Sequence, residues 1–134
     1  MQNVKRKILV VDDEPDIVNS IKMGLERRGF DVDAYVDPID ALAHFKPSKY
    51  SLCILDIKMP GMNGFELYRE IKRADHATRV CFCTAHENEY REPFRKAFPE
   101  LDAESFIPKP ATLNGLLTRI EEELQNLDAA TIRH

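Results

Sequence analysis

The apolar positions of this chain change period several times, and each change marks an element. Ile8, Leu9, Val10 and Val11 follow Lys7 as an unbroken run of strand length, which predicts a buried first strand. From Asp16 to Arg28 the period becomes helical. Ile17, Ile21, Gly24 and Leu25 fall on one face, Pro15 suits the first turn and Gly29 suits the end. Val32 to Val36 alternates as a second strand, and Asp37-Pro38 then opens a second helix with Ile39, Leu42 and Phe45 facing inward. Leu52 to Leu55 is a third strand. The turn-forming stretch Met59-Pro60-Gly61-Met62-Asn63-Gly64 leads into a third helix faced by Phe65, Leu67, Tyr68 and Ile71. Arg79 to Cys83 is the fourth strand. The largely polar span from Glu87 to Phe98, with Pro93 inside it, is assigned to a fourth helix. Ser105 to Ile107 is a short fifth strand, and Thr112 caps a last helix with Leu113, Leu116, Leu117, Ile120 and Leu124 facing inward.

Strands and helices alternating in this order predict right-handed crossovers and parallel strands covered on both faces, an α/β doubly wound domain. It is expected to occupy residues 1–127, with 128–134 as a polar tail or the start of a linker.

Composition narrows the choice of class. The 134 residues, 43% hydrophobic and 31% charged, suit one domain with one core. No apolar run is long enough to cross a bilayer, and the start Met1 to Lys7 has no apolar stretch behind its charges, so a cytoplasmic location and no membrane partner are expected. The formal net charge of −4 argues against direct nucleic-acid binding, for which Lys5, Arg6 and Lys7 are too small a basic cluster. Cys53, Cys81 and Cys83 lie in strand-like apolar runs and read as small buried hydrophobes, not as metal ligands or a disulfide.

The candidate chemistry stands just past the strand ends, where a doubly wound sheet places its ligands. Asp12-Asp13-Glu14 follows the first strand, Asp56 the third, Thr84 the fourth and Lys109 the fifth. Carboxylates gathered at one sheet edge repel one another unless a cation or protons offset them, and an all-oxygen donor set without Cys or His points to a hard ion, Mg²⁺. Asp56 comes alone at the end of the central strand and is the natural nucleophile. A carboxylate can attack phosphorus to give an aspartyl-phosphate, with a metal and a lysine balancing the charge of the group in transfer. Thr84 offers a hydroxyl to one phosphoryl oxygen, and Lys109 a point charge on a flexible stem. Taken singly, Asp13 also reads as a cap for the first helix, Thr84 as an ordinary strand-end hydroxyl, and Phe106 as core. Gly61 and Gly64 read as structural, giving the loop backbone freedom.

Val10-Val11-Asp12-Asp13-Glu14-Pro15, Asp56-Ile57-Lys58-Met59-Pro60-Gly61-Met62-Asn63-Gly64, Thr84-Ala85 and Lys109-Pro110, in that order over about Lys7 to Leu124, resemble the signatures of response-regulator receiver domains. The resemblance implies a flavodoxin-like (βα)5 fold with a parallel five-stranded sheet of order 2-1-3-4-5. It implies a signalling domain, not a turnover enzyme, that takes a phosphoryl group onto Asp56 from a sensor histidine kinase or phosphotransfer protein. Asp13 and Asp56 would bind Mg²⁺ directly, Asp12 through water, and the Lys58 main-chain carbonyl would complete the protein's share. Thr84, Lys109 and Asp56 would carry the transfer, with Lys109-Pro110 as a cis peptide. Thr84 and Phe106 would form the switch, and the output face would lie around the fourth helix, fifth strand and last helix. The downstream target would be a protein, and a phosphorylation-dependent homodimer is among the expected assemblies. His86, two positions past Thr84, stands where receivers vary and where a side chain meets the hydrolytic water. The segment from Thr84 to Lys109 is longer than the common form and lacks the usual small Gly-Ala step before the switch aromatic.

Three alternatives accompany this reading, among them a nucleotide-binding domain, which would have a glycine-rich phosphate cradle where the first strand leads into Asp12-Asp13-Glu14. An aspartate-dependent phosphohydrolase would carry a second Asp two residues past its nucleophile, where this chain has Lys58. A receiver-like interaction module that works without phosphorylation would not need the full pocket.

Overall fold

The computed structural model describes residues 6–84, 92–93, 95–97, 105–108 and 112–132, with the backbone alone described for Thr84, Ser105, Phe106, Pro108 and residues 126–132. Strands β1 (Lys7–Val11), β2 (Asp31–Tyr35), β3 (Leu52–Leu55), β4 (Val80–Thr84) and β5 (Ser105–Pro108) form one parallel sheet of order β2-β1-β3-β4-β5. Helices α1 (Pro15–Arg27), α2 (Pro38–His44), α3 (Gly64–Ala74) and α4 (Leu113–Ile132) connect and cover it. The expected doubly wound fold and its strand order are thus present.

The continuous apolar runs are explained by the two layers they separate. Along β1, Ile8 and Val10 face one core with Leu52 and Ile54 of β3 and Cys81 and Cys83 of β4, closed by Ile21 and Leu25 of α1 and by Leu116, Leu117 and Ile120 of α4. The intervening Leu9, Val11, Cys53, Leu55, Val80 and Phe82 face a second core closed by Leu67, Tyr68 and Ile71 of α3. A strand buried on both faces has no polar alternation to show. All three cysteines are free and buried, as small hydrophobes.

Local signals set the helix ends. Gly29 has φ +96, with its N–H bonded to Glu26 O at 3.1 Å and that of Phe30 to Leu25 O at 3.1 Å, the Schellman pairing that ends a helix on a left-handed residue. The Asp37 carboxylate accepts from Ile39 N at 2.9 Å and caps α2. Asn63 and Glu66 form a capping box at α3, and the Thr112 hydroxyl accepts from Gly115 N at 3.1 Å at α4.

Several expectations are corrected. Register with β1 pairs Lys7 to Asp31 and Val11 to Tyr35, so β2 starts at Asp31 and Val36 leaves the sheet. In α2, Pro38 and Ala41 are buried while Ile39 is 55% exposed, because Ile39 sits about 100° around the helix from Pro38. Leu113 at the start of α4 is likewise exposed. The α4 backbone continues past Asp128 to Ile132, through Ala129 and Ala130, the best helix formers. Within the expected fourth helix only residues 92–93 and 95–97 are described; their backbone is helical and their side chains are exposed.

Candidate functional site

The site is built at the carboxyl ends of β1 and β3, which pair directly in the sheet. Parallel pairing brings the residue after each strand to the same edge. Asp56 N donates to Val11 O at 2.9 Å and Asp12 N to Tyr35 O at 3.2 Å, extending the ladders one residue past the strands and fixing both aspartates on the rigid sheet. Their side chains are oriented by backbone donors: Asp12 Oδ1 accepts from Glu14 N at 3.0 Å, and Asp56 Oδ1 from Ile57 N at 2.9 Å. Asp12 and Asp56 are buried and Asp13 is half-buried. One oxygen from each of the three lies within 4.8 Å of the others. The N-cap of α1 is Glu14, with no side-chain capping bond, so capping does not account for Asp13.

The loop after Asp56 is closed by Gly64 N donating to Ile57 O at 2.7 Å, and the Asn63 and Glu66 box anchors its far end. Gly64 is needed for space, not for the backbone freedom expected of it: a Cβ there would stand 2.2 Å from Asp56 O and 2.8 Å from Ile57 Cα. Gly61, at φ +83, does need a left-handed backbone. Lys58 lies in this loop with an exposed side chain, so its main-chain carbonyl is what the loop can offer a metal.

Thr84 ends β4, adjacent to β3, and Phe106 lies in β5 opposite Phe82. Their side chains, His86 and the whole of Lys109 and Pro110, with the expected cis bond, lie outside the described residues. Asn63 was legible as Asn-x-x-Glu ahead of an apolar face; the tight seat of Gly64 under Asp56 had no sequence signal beyond the glycine itself.

The carboxylate cluster fits a small hard cation. Its donors are all oxygen, and octahedral Mg²⁺ at about 2.0–2.1 Å from each ligand spans oxygens up to roughly 4 Å apart, a small side-chain adjustment from the observed spacing.

The family described as response regulator receiver domain matches residues 8–121, and the chain belongs to it. Regulatory protein VanRB of Enterococcus faecalis is 37% identical over 126 residues, covering 92% of this chain and 54% of that protein. Response regulator ArlR of Staphylococcus saprophyticus is 33% identical over 119 residues, covering 89% of this chain and 52% of that protein. The chain therefore spans about half the length of these relatives. Among solved structures, the response regulator TrrA of Thermotoga maritima in complex with Mg²⁺-BeF is 30% identical with a TM-score of 0.71, covering 87% of this chain and 97% of that one. TrrA also matches, at the same identity, in a complex with the histidine kinase ThkA. The chain is thus a two-component signalling domain of the phosphoryl-accepting receiver class. No helix among the described residues is long and apolar enough to cross a membrane.

Proposed function

We propose that Asp56 is the phosphoryl acceptor and that Asp12, Asp13, Asp56 and the Lys58 carbonyl hold one Mg²⁺ beside it. The observation that carries this reading is the convergence of three carboxylates within 4.8 Å at the ends of β1 and β3. A bound Mg²⁺ would offset the negative charge shared by the carboxylates and the incoming phosphoryl group. An Asp56 oxygen forms the bond to phosphorus as the bond from phosphorus to the donor's histidine nitrogen breaks, its electron pair returning to the imidazole. The hydrogen bond from Ile57 N to one Asp56 oxygen orients the carboxylate for attack. Lys109 supplies a positive charge and Thr84 a hydroxyl to the transferred group, and Thr84 with Phe106 passes the change to the output surface. Water later hydrolyses the acyl phosphate, so the chemistry is self-catalysed transfer and loss, not turnover of a free substrate.

The donor is a sensor histidine kinase or phosphotransfer protein, by analogy with the ThkA and TrrA pair. The reader of the switched state is a downstream protein or a second phosphorylated copy; nucleic acid and membrane are not contacted directly, and the protein acts in the cytoplasm. The receiver unit is residues 1–127, with the α4 backbone running on to Ile132 into the tail or linker start. Intact-mass spectrometry after incubation with acetyl phosphate tests this: a single phosphoryl adduct is expected in wild type with Mg²⁺, and none without Mg²⁺ or in Asp56→Ala. A wild type that takes no adduct points instead to an interaction module that works without phosphorylation.

A further inference from the structure

Four large apolar side chains are exposed among the described residues: Met23, Val36, Ile39 and Leu113. Val36 and Ile39 belong together. They flank the start of α2 and, with Pro38, Pro60 and Gly61, line a groove that also takes in Asp37 and Asp13 of the carboxylate cluster. Val36 is there because β2 ends at Tyr35, and Ile39 because α2 buries Pro38 and Ala41 instead. The Asp37 carboxylate, which accepts from Ile39 N, lines the same groove, so the aliphatic side chains of Val36, Pro38, Ile39 and Pro60 share the lining with two carboxylates, Asp13 and Asp37. The floor is kept low by Gly61, whose φ of +83 disfavours a side chain and where a Cβ would already meet Ile39 Cδ1 at 3.7 Å.

A donor must bring phosphorus to roughly 3–3.5 Å from the attacking oxygen. A protein that does so at Asp56 lays its surface over the rim of the site, and this groove opens from that rim. A small donor such as acetyl phosphate reaches Asp56 without covering it. We propose that the groove of Val36, Ile39 and Pro60 seats aliphatic side chains flanking the phosphohistidine of the donor protein. It thereby favours protein donors over small phosphate donors. This rests on Asp56 being the acceptor.

The test compares two donors on the full chain. From a panel of autophosphorylated histidine-kinase cytoplasmic portions, the one that labels wild type fastest serves as the protein donor, and acetyl phosphate as the small one. The double variant Val36→Ser, Ile39→Ser is expected to lose about tenfold or more in kcat/KM with the kinase, carried by KM, since removing two aliphatic contacts costs at least that much binding. Its rate with acetyl phosphate is expected to stay within twofold of wild type, and Val36→Ile, Ile39→Val is expected to retain the kinase rate. Both positions are substantially exposed, so the serine variant keeps its core, and an unchanged melting curve checks this. An unchanged kinase rate overturns the proposal, as does an equal loss with both donors, which makes the groove a support of the site. Loss of self-association with unchanged kinase transfer also overturns it, assigning the groove to a second copy. If no kinase labels wild type while acetyl phosphate does, there is no protein donor to seat and the proposal falls while the Asp56 reading stands. Failure of acetyl phosphate to label wild type strikes that reading itself.

Discussion

Both ends of the sheet gather aspartates, and the two ends treat them differently. At the amino-terminal end, Asp31 and Asp33 of β2 meet cations: Lys7 Nζ lies 2.9 Å from Asp31 and 3.4 Å from Asp33, and Lys49 Nζ 3.3 Å from Asp33. The Tyr50 hydroxyl donates to Asp33 at 2.7 Å. At the carboxyl-terminal end, the backbone N–H groups of Glu14 and Ile57 are among the donors that orient Asp12 and Asp56. Lysines neutralise a carboxylate, whereas an N–H aims it and leaves most of its charge in place. The first arrangement ties edge strand β2 to β1 and to the segment before β3. The second crowds three carboxylates, one oxygen of each within 4.8 Å of the others, where they repel unless a cation offsets them.

The largest effect is expected at Gly64. Gly64→Ala places a methyl group against Asp56 O and Ile57 Cα, backbone that cannot swing aside, and is expected to cost ~3 kcal/mol in urea denaturation and to lower the rate of phosphorylation. No substitution at the amino-terminal end should match it.

Charge removal sharpens the contrast because the two ends should respond with opposite signs. In metal-free buffer, Asp13→Asn relieves repulsion and is expected to stabilise by about 0.5–1 kcal/mol, while Asp33→Asn strands its lysines and is expected to destabilise by about 1 kcal/mol or less. Mg²⁺ at a hundredfold excess over its Kd should add about 2.7 kcal/mol to wild type and to Asp33→Asn, and much less to Asp13→Asn. Equal Mg²⁺ responses in the two variants would remove the cluster from metal binding.

The smallest effect is the pH dependence of the amino-terminal end. Burial pushes the Asp33 carboxyl up, but hydrogen bonds from Tyr50 and Lys49 and the charges of Lys7 and Lys49 together outweigh it and hold it below its ordinary value. The hydrogen bond to Asp31 holds the Lys7 ammonium above its ordinary value of 10.5, against a smaller opposing effect of burial. A depressed acid stabilises the fold above its unfolded pKa and loses that contribution as pH falls through the folded one. A raised base stabilises below 10.5 and loses its share as pH rises through the folded value. Denaturation profiles of wild type and Asp33→Asn should therefore converge below about pH 4. They should separate at neutral pH, by less in high salt.

Much of this molecule was determined by sequence alone. Unbroken runs such as Ile8 to Val11 and Leu52 to Leu55, at strand length, suit strands covered on both faces, and Gly29 at the end of α1 and Asp37 at the start of α2 act within their own turns. Aspartates placed just after two such runs were enough to predict the carboxylate cluster, because parallel strands deliver their ends to one edge. What periodicity reports is the average surroundings of an element. It does not report register or which neighbour comes closest. Only the tertiary structure decided that Val36 and Ile39 lie outside the core beside Asp13, that Gly64 packs against the Asp56 carbonyl, and that Lys7, Lys49 and Tyr50 converge on Asp33. Each of these depends on a separation between segments distant in the chain, and such separations are set by the packing of whole layers.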